Sequence, residues 1–125
     1  MIILFHPKDR KLADDIISRT QNSQITLAAE TYNFSEYAEQ LRSCEFVLSP
    51  DTSALHLCSA YGIPVVGIYA PFPPELHYWT PIGVPYEMII QYPSLESLEA
   101  GNVIEHLEKL MNKVKLTISD KILPA

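Results

Sequence analysis

Asp51, Thr52, Ser53 and His56 are the residues of this 125-residue chain whose types and spacing best suit chemistry. They bring a carboxylate, two hydroxyls and an imidazole close together. With Thr52 at zero and about 100° per residue, Thr52, Ser53, His56 and Ser59 share one side of a helix that runs to Tyr61. Ala54, Leu57, Cys58 and Tyr61 share the other, with Leu55 at its edge. A helix tip carries about +0.5 charge and free N–H donors, which suits a bound anion. The competing reading of Asp51 is structural: as an N-cap, its carboxylate accepts from the N–H of Ser53 or Ala54, worth about 1 kcal/mol. His56 is either an ordinary surface imidazole or, one turn below the tip, a donor to a ligand.

These residues need elements to position them. Phe46-Val47-Leu48 is an apolar run short enough for a buried strand, and Ser49-Pro50-Asp51 breaks it. Gly62 ends the helix, Pro64 forbids its continuation, and Val65–Tyr69 reads as the next strand. The polar tip therefore lies at the carboxyl end of a strand in a β-α-β unit, where open α/β sheets bind ligands.

The rest of the chain alternates in the same way. Ile2–Phe5 reads as a strand and His6-Pro7 as a turn, with Pro7 in the first turn of a helix over Lys8–Arg19 whose stripe is Leu12, Ala13, Ile16 and Ile17. Ile25–Ala28 is a second strand. Asn33 with Glu36 forms a capping box opening a helix to about Ser43, with Phe34, Tyr37, Ala38 and Leu41 on its apolar side. Tyr86–Ile90 is a last strand. Asn102 with Glu105 makes a second capping box, and Val103, Ile104, Leu107, Leu110, Met111 and Val114 trace a stripe to about Lys113. Leu116-Thr117-Ile118 reads as a short edge strand or part of a tail over 115–125. The expectation is one α/β domain over residues 1–125: a Rossmann-like parallel sheet of about five strands with helices on both faces.

Bulk properties narrow the function. The net charge is −6, with nine Lys and Arg spread thinly, so the basic footprint of a nucleic-acid binder is missing. No apolar run approaches the ~20 residues of a membrane span, and Met1–Phe5 lacks a basic leader, so a cytoplasmic chain is expected. Cys44 and Cys58 lack metal-ligand spacing and read as buried free thiols. His6, His77 and His106 are too scattered for a metal site. Six of the ten prolines fall between Pro64 and Pro85. Within that segment, His77-Tyr78-Trp79 belong either to a loop over a ligand or partner domain, or to a stiff surface loop with its aromatics tucked onto the body.

The ordered string Asp51-Thr52-Ser53, His56, then Ala60-Tyr61-Gly62-Ile63-Pro64-Val65-Val66-Gly67-Ile68-Tyr69-Ala70-Pro71 resembles the signature of glycosyltransferase family 9, the ADP-heptose:lipopolysaccharide heptosyltransferases. The family pattern is roughly D-[ST]-G-x-x-H followed by A-x-G-x-P-V-x-x-x-[FY]-G-P. Ser53 and Ala70 stand where the family usually has glycine. The resemblance covers about Ile2 to Val114 and only the C-terminal half of a family member. It implies the donor half of a GT-B fold lacking its first strand, without the acceptor site and catalytic base of the N-terminal domain, and so not competent alone. It further implies a role in lipopolysaccharide biosynthesis, a nucleotide sugar in ADP-linked form as substrate, and neither cofactor nor metal. Asp51, Thr52 and Ser53 would frame the donor's diphosphate, and His56 would stabilise the departing nucleotide. Asp9 falls where the family often holds ribose hydroxyls, although an acidic first-turn residue also suits a helix dipole. The lost strand would leave an exposed sheet edge, favouring self-association or a partner domain. The rival readings are a non-catalytic interaction module, or an unrelated flavodoxin-like fold such as a phospho-receiver, which would need an acidic pair where His6-Pro7 stands.

Overall fold

A computed structural model describes residues 1–73 and 78–122, apart from the side chains of 117–122. The chain forms two compact units, Met1–Ser43 and Cys44–Ala125.

The N-terminal unit holds β1 (Ile2–Ile3), a 3-10 turn over Pro7–Asp9, α1 (Arg10–Thr20), β2 (Thr26–Leu27) and α2 (Phe34–Arg42). β1 and β2 pair in parallel, Ile2 with Thr26 and Ile3 with Leu27. His6 Nδ1 accepts from the Lys8 N–H and starts the 3-10 turn, with Pro7 in its first turn as expected. The two-stranded ladder offers α1 a narrow surface. Of its predicted stripe Ala13 is buried and Ile17 partly so, while Leu12 and Ile16 stay exposed. The capping box of α2 forms: Asn33 Oδ1 accepts from the Glu36 N–H at 3.0 Å, and the Glu36 carboxylate reaches back to the Tyr32 N–H at 2.8 Å. Ala38 and Leu41 are the residues of α2 that go inside.

The C-terminal unit holds β3 (Val47–Pro50), α3 (Ser53–Tyr61), β4 (Val65–Tyr69), β5 (Tyr86–Ile90), a 3-10 turn over Leu95–Ser97 and α4 (Ala100–Ile122). Its sheet runs β3-β4-β5, all parallel, with Val47 opposite Val65 and Val65 opposite Tyr86. The five expected strands are thus present and parallel, as two ladders. β4 is central and apolar on both faces, as a doubly covered strand must be. Val66 packs with Ile89 of β5 and Leu110 of α4, joined by Ile68, Leu98, Val103 and Leu107.

Several boundaries differ from expectation for identifiable reasons. β3 does not break at Ser49 but continues through Pro50. Among the described residues β3 pairs with β4 alone, and the neighbouring Asp51 N–H is the one directed toward β4, to Ile68 O at 2.9 Å, so the N–H that Pro50 lacks is not needed. α4 starts at Ala100, so Asn102 lies inside it and donates its N–H to Glu99 O; Glu105 pairs with Lys109 instead of closing a capping box. The same helix carries Leu116-Thr117-Ile118 on to Ile122, in place of a short strand or tail. On α3 the buried stripe is Ala54, Leu55 and Cys58, rotated from the expected one: Leu55 is core, whereas Tyr61 is exposed.

Two features make direct predictions. Gly62 closes α3 at φ 73°, a conformation costly for a side chain; Gly62→Ala is expected to lower stability by about 1 kcal/mol in urea unfolding. Glu87 on β5 is largely buried and receives His106 Nδ1 at 2.9 Å and Lys113 Nζ. Burial opposes its charge, but these two partners outweigh burial and hold its pKa below the ordinary carboxylate value. Its contribution is therefore present above that value and fades as pH falls through the lower, folded one. Glu87→Gln should cost about 1–3 kcal/mol at neutral pH and flatten the acid limb of the stability–pH curve.

Candidate active site

Two connections at the carboxyl edge of the β3-β4-β5 sheet carry the candidate residues. After β3, Asp51 is fixed through its N–H to Ile68 O, and its side chain is exposed. Thr52 is extended, at φ −142° and ψ 178°, and its hydroxyl accepts from the Ala54 N–H at 3.3 Å. The N-cap of α3 is therefore Thr52, which corrects the structural reading of Asp51: a threonine hydroxyl can reach the N2 position, and the Asp51 carboxylate is left uncommitted to the cap. Ser49 is buried beneath this turn, with its hydroxyl 3.2 Å from that of Thr52 and bonded to Pro50 O at 2.9 Å. Thr52, Ser53 and His56 are all exposed, and His56 does not turn into the core.

β4 ends at Tyr69. Its side chain is 0 % exposed, and its ring lies over Gly67 so closely that a Cβ there would sit 2.7 Å from it. Burial first, then the charge of Asp51 beyond it, pushes the phenol up to about 12, so it stays a neutral donor. That hydroxyl donates to Trp79 O at 3.1 Å. Tyr78 meets Tyr69 edge-on at 5.4 Å and stacks on Phe72 at 4.9 Å; its hydroxyl accepts from the Phe72 N–H and donates to Ala70 O. Ile82 N–H reaches Ser59 Oγ on α3 at 2.9 Å. Tyr78 is thus tucked onto the body, while Trp79 is exposed. His77 lies outside the described residues.

Asp51, Thr52, Ser53 and His56 therefore share one exposed helix tip. Asp9 belongs to the N-terminal unit, exposed in the turn after β1, with its N–H on His6 O. Of the thiols, Cys58 is buried and pushed up to about 11 by burial, with Cys44 adding to it. Among the described residues no three His, Cys, Asp or Glu side chains are grouped to hold a metal, and no helix is long and apolar enough to cross a membrane.

Residues 1–108 match the family model for glycosyltransferase family 9 (heptosyltransferase). The chain belongs to glycosyltransferase family 9. No curated protein matches the sequence. A crystal structure of a family 9 glycosyl transferase from Veillonella parvula DSM 2008 is similar in fold, with a TM-score of 0.74 at 15 % identity. The likeness covers 90 % of this chain and 36 % of that one, so this chain spans about a third of that protein's length.

Against the family 9 pattern, Ser53 in the glycine position lies in the first turn of α3, where a side chain is accommodated without positive φ. The residue that spacing failed to single out is Tyr69. Its signal was present, a glycine two positions earlier on the same strand face, the arrangement that lets a ring fold back over the backbone. Tyr69→Phe is expected to cost about 1 kcal/mol in urea unfolding by leaving the Trp79 carbonyl without its donor.

Proposed function

We propose that this family 9 chain is the donor-binding half of a heptosyltransferase-like glycosyltransferase, taking a nucleotide sugar, ADP-linked on the family's precedent, at the tip of α3. The observation that carries this reading is the exposed cluster Asp51, Thr52, Ser53 and His56 at the carboxyl end of a parallel strand. First-turn N–H groups and the Thr52 and Ser53 hydroxyls suit a diphosphate. Asp51, which would repel phosphate, suits sugar hydroxyls, and His56 suits the charge that develops on a departing nucleotide. Neither cofactor nor metal is required for binding on this reading, and lipopolysaccharide synthesis in the cytoplasm is the pathway context that it suggests. Turnover would require an acceptor domain to bring the second substrate to the donor, so the chain alone is proposed to bind without transferring.

A second reading, an interaction module derived from such a domain, draws on the outer edge of β3. Phe46 and Leu48 there are 38 % and 45 % exposed, and no strand of the described residues pairs beyond them. A mass that rises with concentration in light scattering, without nucleotide binding, would favour it.

Calorimetry with ADP, UDP and GDP and their sugars tests the first reading. Binding of one nucleotide series is expected, weakened about tenfold by His56→Ala, a loss of about 1.4 kcal/mol. Absence of heat with every series at millimolar ligand would overturn it.

A further inference from the structure

The β3-β4-β5 sheet has two outer strands, and they are finished differently. On β5 the Gln91 N–H bonds to Tyr69 O, so alternation turns Glu87, Ile89 and Gln91 toward β4 and Tyr86, Met88 and Ile90 outward. The outward Tyr86 carbonyl is covered: Lys113 of α4 donates to it from Nζ at 3.0 Å, and the same ammonium pairs with Glu87. A lysine laid across a strand edge blocks pairing with a further strand. Among the described residues β3 has no such cover. Its exposed side chains are apolar, Phe46 and Leu48, two positions apart and so on one face. Leu48 stands opposite Val66, so this is the face on which Val66 packs with Leu110 of α4, open to solvent at its margin.

The backbone of that edge suits few partners. Val47 gives its N–H to Pro64 O at 3.0 Å and Asp51 gives its own to Ile68 O at 2.9 Å, so Val47, Ser49 and Asp51 face β4. A trans peptide sets its C=O opposite its N–H, so the Phe46 carbonyl points outward, as do the N–H and carbonyl of Leu48. Pro50 has no N–H, and its carbonyl accepts from the Ser49 hydroxyl at 2.9 Å. The edge therefore offers Phe46 O, Leu48 N–H and Leu48 O, and stops at a proline. An antiparallel twin meets these groups in one register. With Val47 opposite Val47 across a two-fold axis, each Leu48 N–H reaches the other copy's Phe46 O and each Leu48 side chain lies against the other copy's Phe46. Pro50 then falls beyond the ladder. Glu45 stands opposite Ser49 and Asp51 opposite Ser43, so carboxylates are not set against each other. With Leu48 opposite Leu48 instead, Phe46 O would face Pro50 and lack a donor.

We propose that a second copy of this chain occupies the outer edge of β3, paired antiparallel about Val47, and joins two three-stranded sheets into one. This rests on the open β3 edge of the interaction-module reading, names the partner for it, and makes no demand on nucleotide binding. A contact this short falls below the ~1,200 Å² of standard interfaces. The dimer is accordingly weak, with a dissociation constant between about 1 µM and 1 mM.

Sedimentation velocity should show the 14.1 kDa chain passing to twice that mass as its concentration rises through that range. Leu48→Lys, which puts a charge on the edge, should weaken the dimer about tenfold or more. Engineered thiols read the register. In a Cys44→Ser background, a mixture of Phe46→Cys and Leu48→Cys chains should cross-link under glutathione disulfide, because facing Cα atoms of a bonded antiparallel pair lie about 5.5 Å apart. Either variant alone should not, since its twin thiol is then on the diagonal, roughly 7–8 Å away. Both side chains are partly exposed, so circular dichroism should find the variants folded. If Leu48→Lys is not, the mass of the unaltered chain and the cross-link decide. A dimer that Leu48→Lys leaves intact, or cross-linking as fast in Leu48→Cys alone as in the mixture, would overturn the pairing. A monomer at every concentration up to about 1 mM would overturn the second copy as occupant and leave the interaction-module reading to the nucleotide titration.

Discussion

A buried phenol must bond its hydroxyl, and at the carboxyl edge of this protein that requirement organises everything around it. Tyr69 ends the central strand, where alternation turns it away from the Val66–Ile89–Leu110 core. Its ring has room only because Gly67 has no side chain. The hydroxyl then has to find an acceptor, and the Trp79 carbonyl supplies it. One contact thus joins the end of the central strand to the chain at Trp79, ten residues on.

The same economy governs the tip of α3. Two residues there are able to cap, and the threonine does so, with Ser49 supporting it from beneath. Had Asp51 capped instead, its carboxylate would have been spent on a backbone N–H. Capping by Thr52 gives the helix its start and keeps the charge of Asp51 on the outside, one residue from the dipole that favours it. The cap and the charge at the tip are thus carried by different side chains, Thr52 and Asp51.

Much of this was legible in the residues themselves. Gly62-Ile63-Pro64 fixed where α3 stops, because a left-handed glycine and a proline leave a helix no way on, and the Asn33–Glu36 box fixed where α2 starts. Val65–Tyr69 and Tyr86–Ile90 came out with their observed bounds, since short, mainly apolar runs between proline or glycine breaks have few other readings. Reading failed where a local signal was overruled by pairing. Pro50 looks like a strand breaker until its place on a sheet edge is known. Asn102 and Glu105 look like a cap until the chain before them, at Glu99, has already begun the helix. The rotation of the α3 stripe toward Leu55 depends on which side the neighbouring strand lies, and helical spacing alone carries no such information. The tip residues Asp51, Thr52, Ser53 and His56 were legible as a group; the tie from Tyr69 to Trp79 was not, because it joins a strand to a loop ten residues on.

The substitution of Ser53 for the family's glycine follows from the same geometry. Glycine is needed where φ is positive or where a ligand must touch backbone. The positive-φ residues among those described are Gln21, Gly62 and Gly83, so the first turn of α3 makes no such demand. What a side chain at that position changes is the surface offered to a ligand: it adds a hydroxyl donor next to Thr52 and takes away some room for direct contact with the N–H groups. A diphosphate held here would be gripped more by hydroxyls and less by backbone than in a relative with glycine, and hydroxyl grips are softer because the side chain must be ordered to make them.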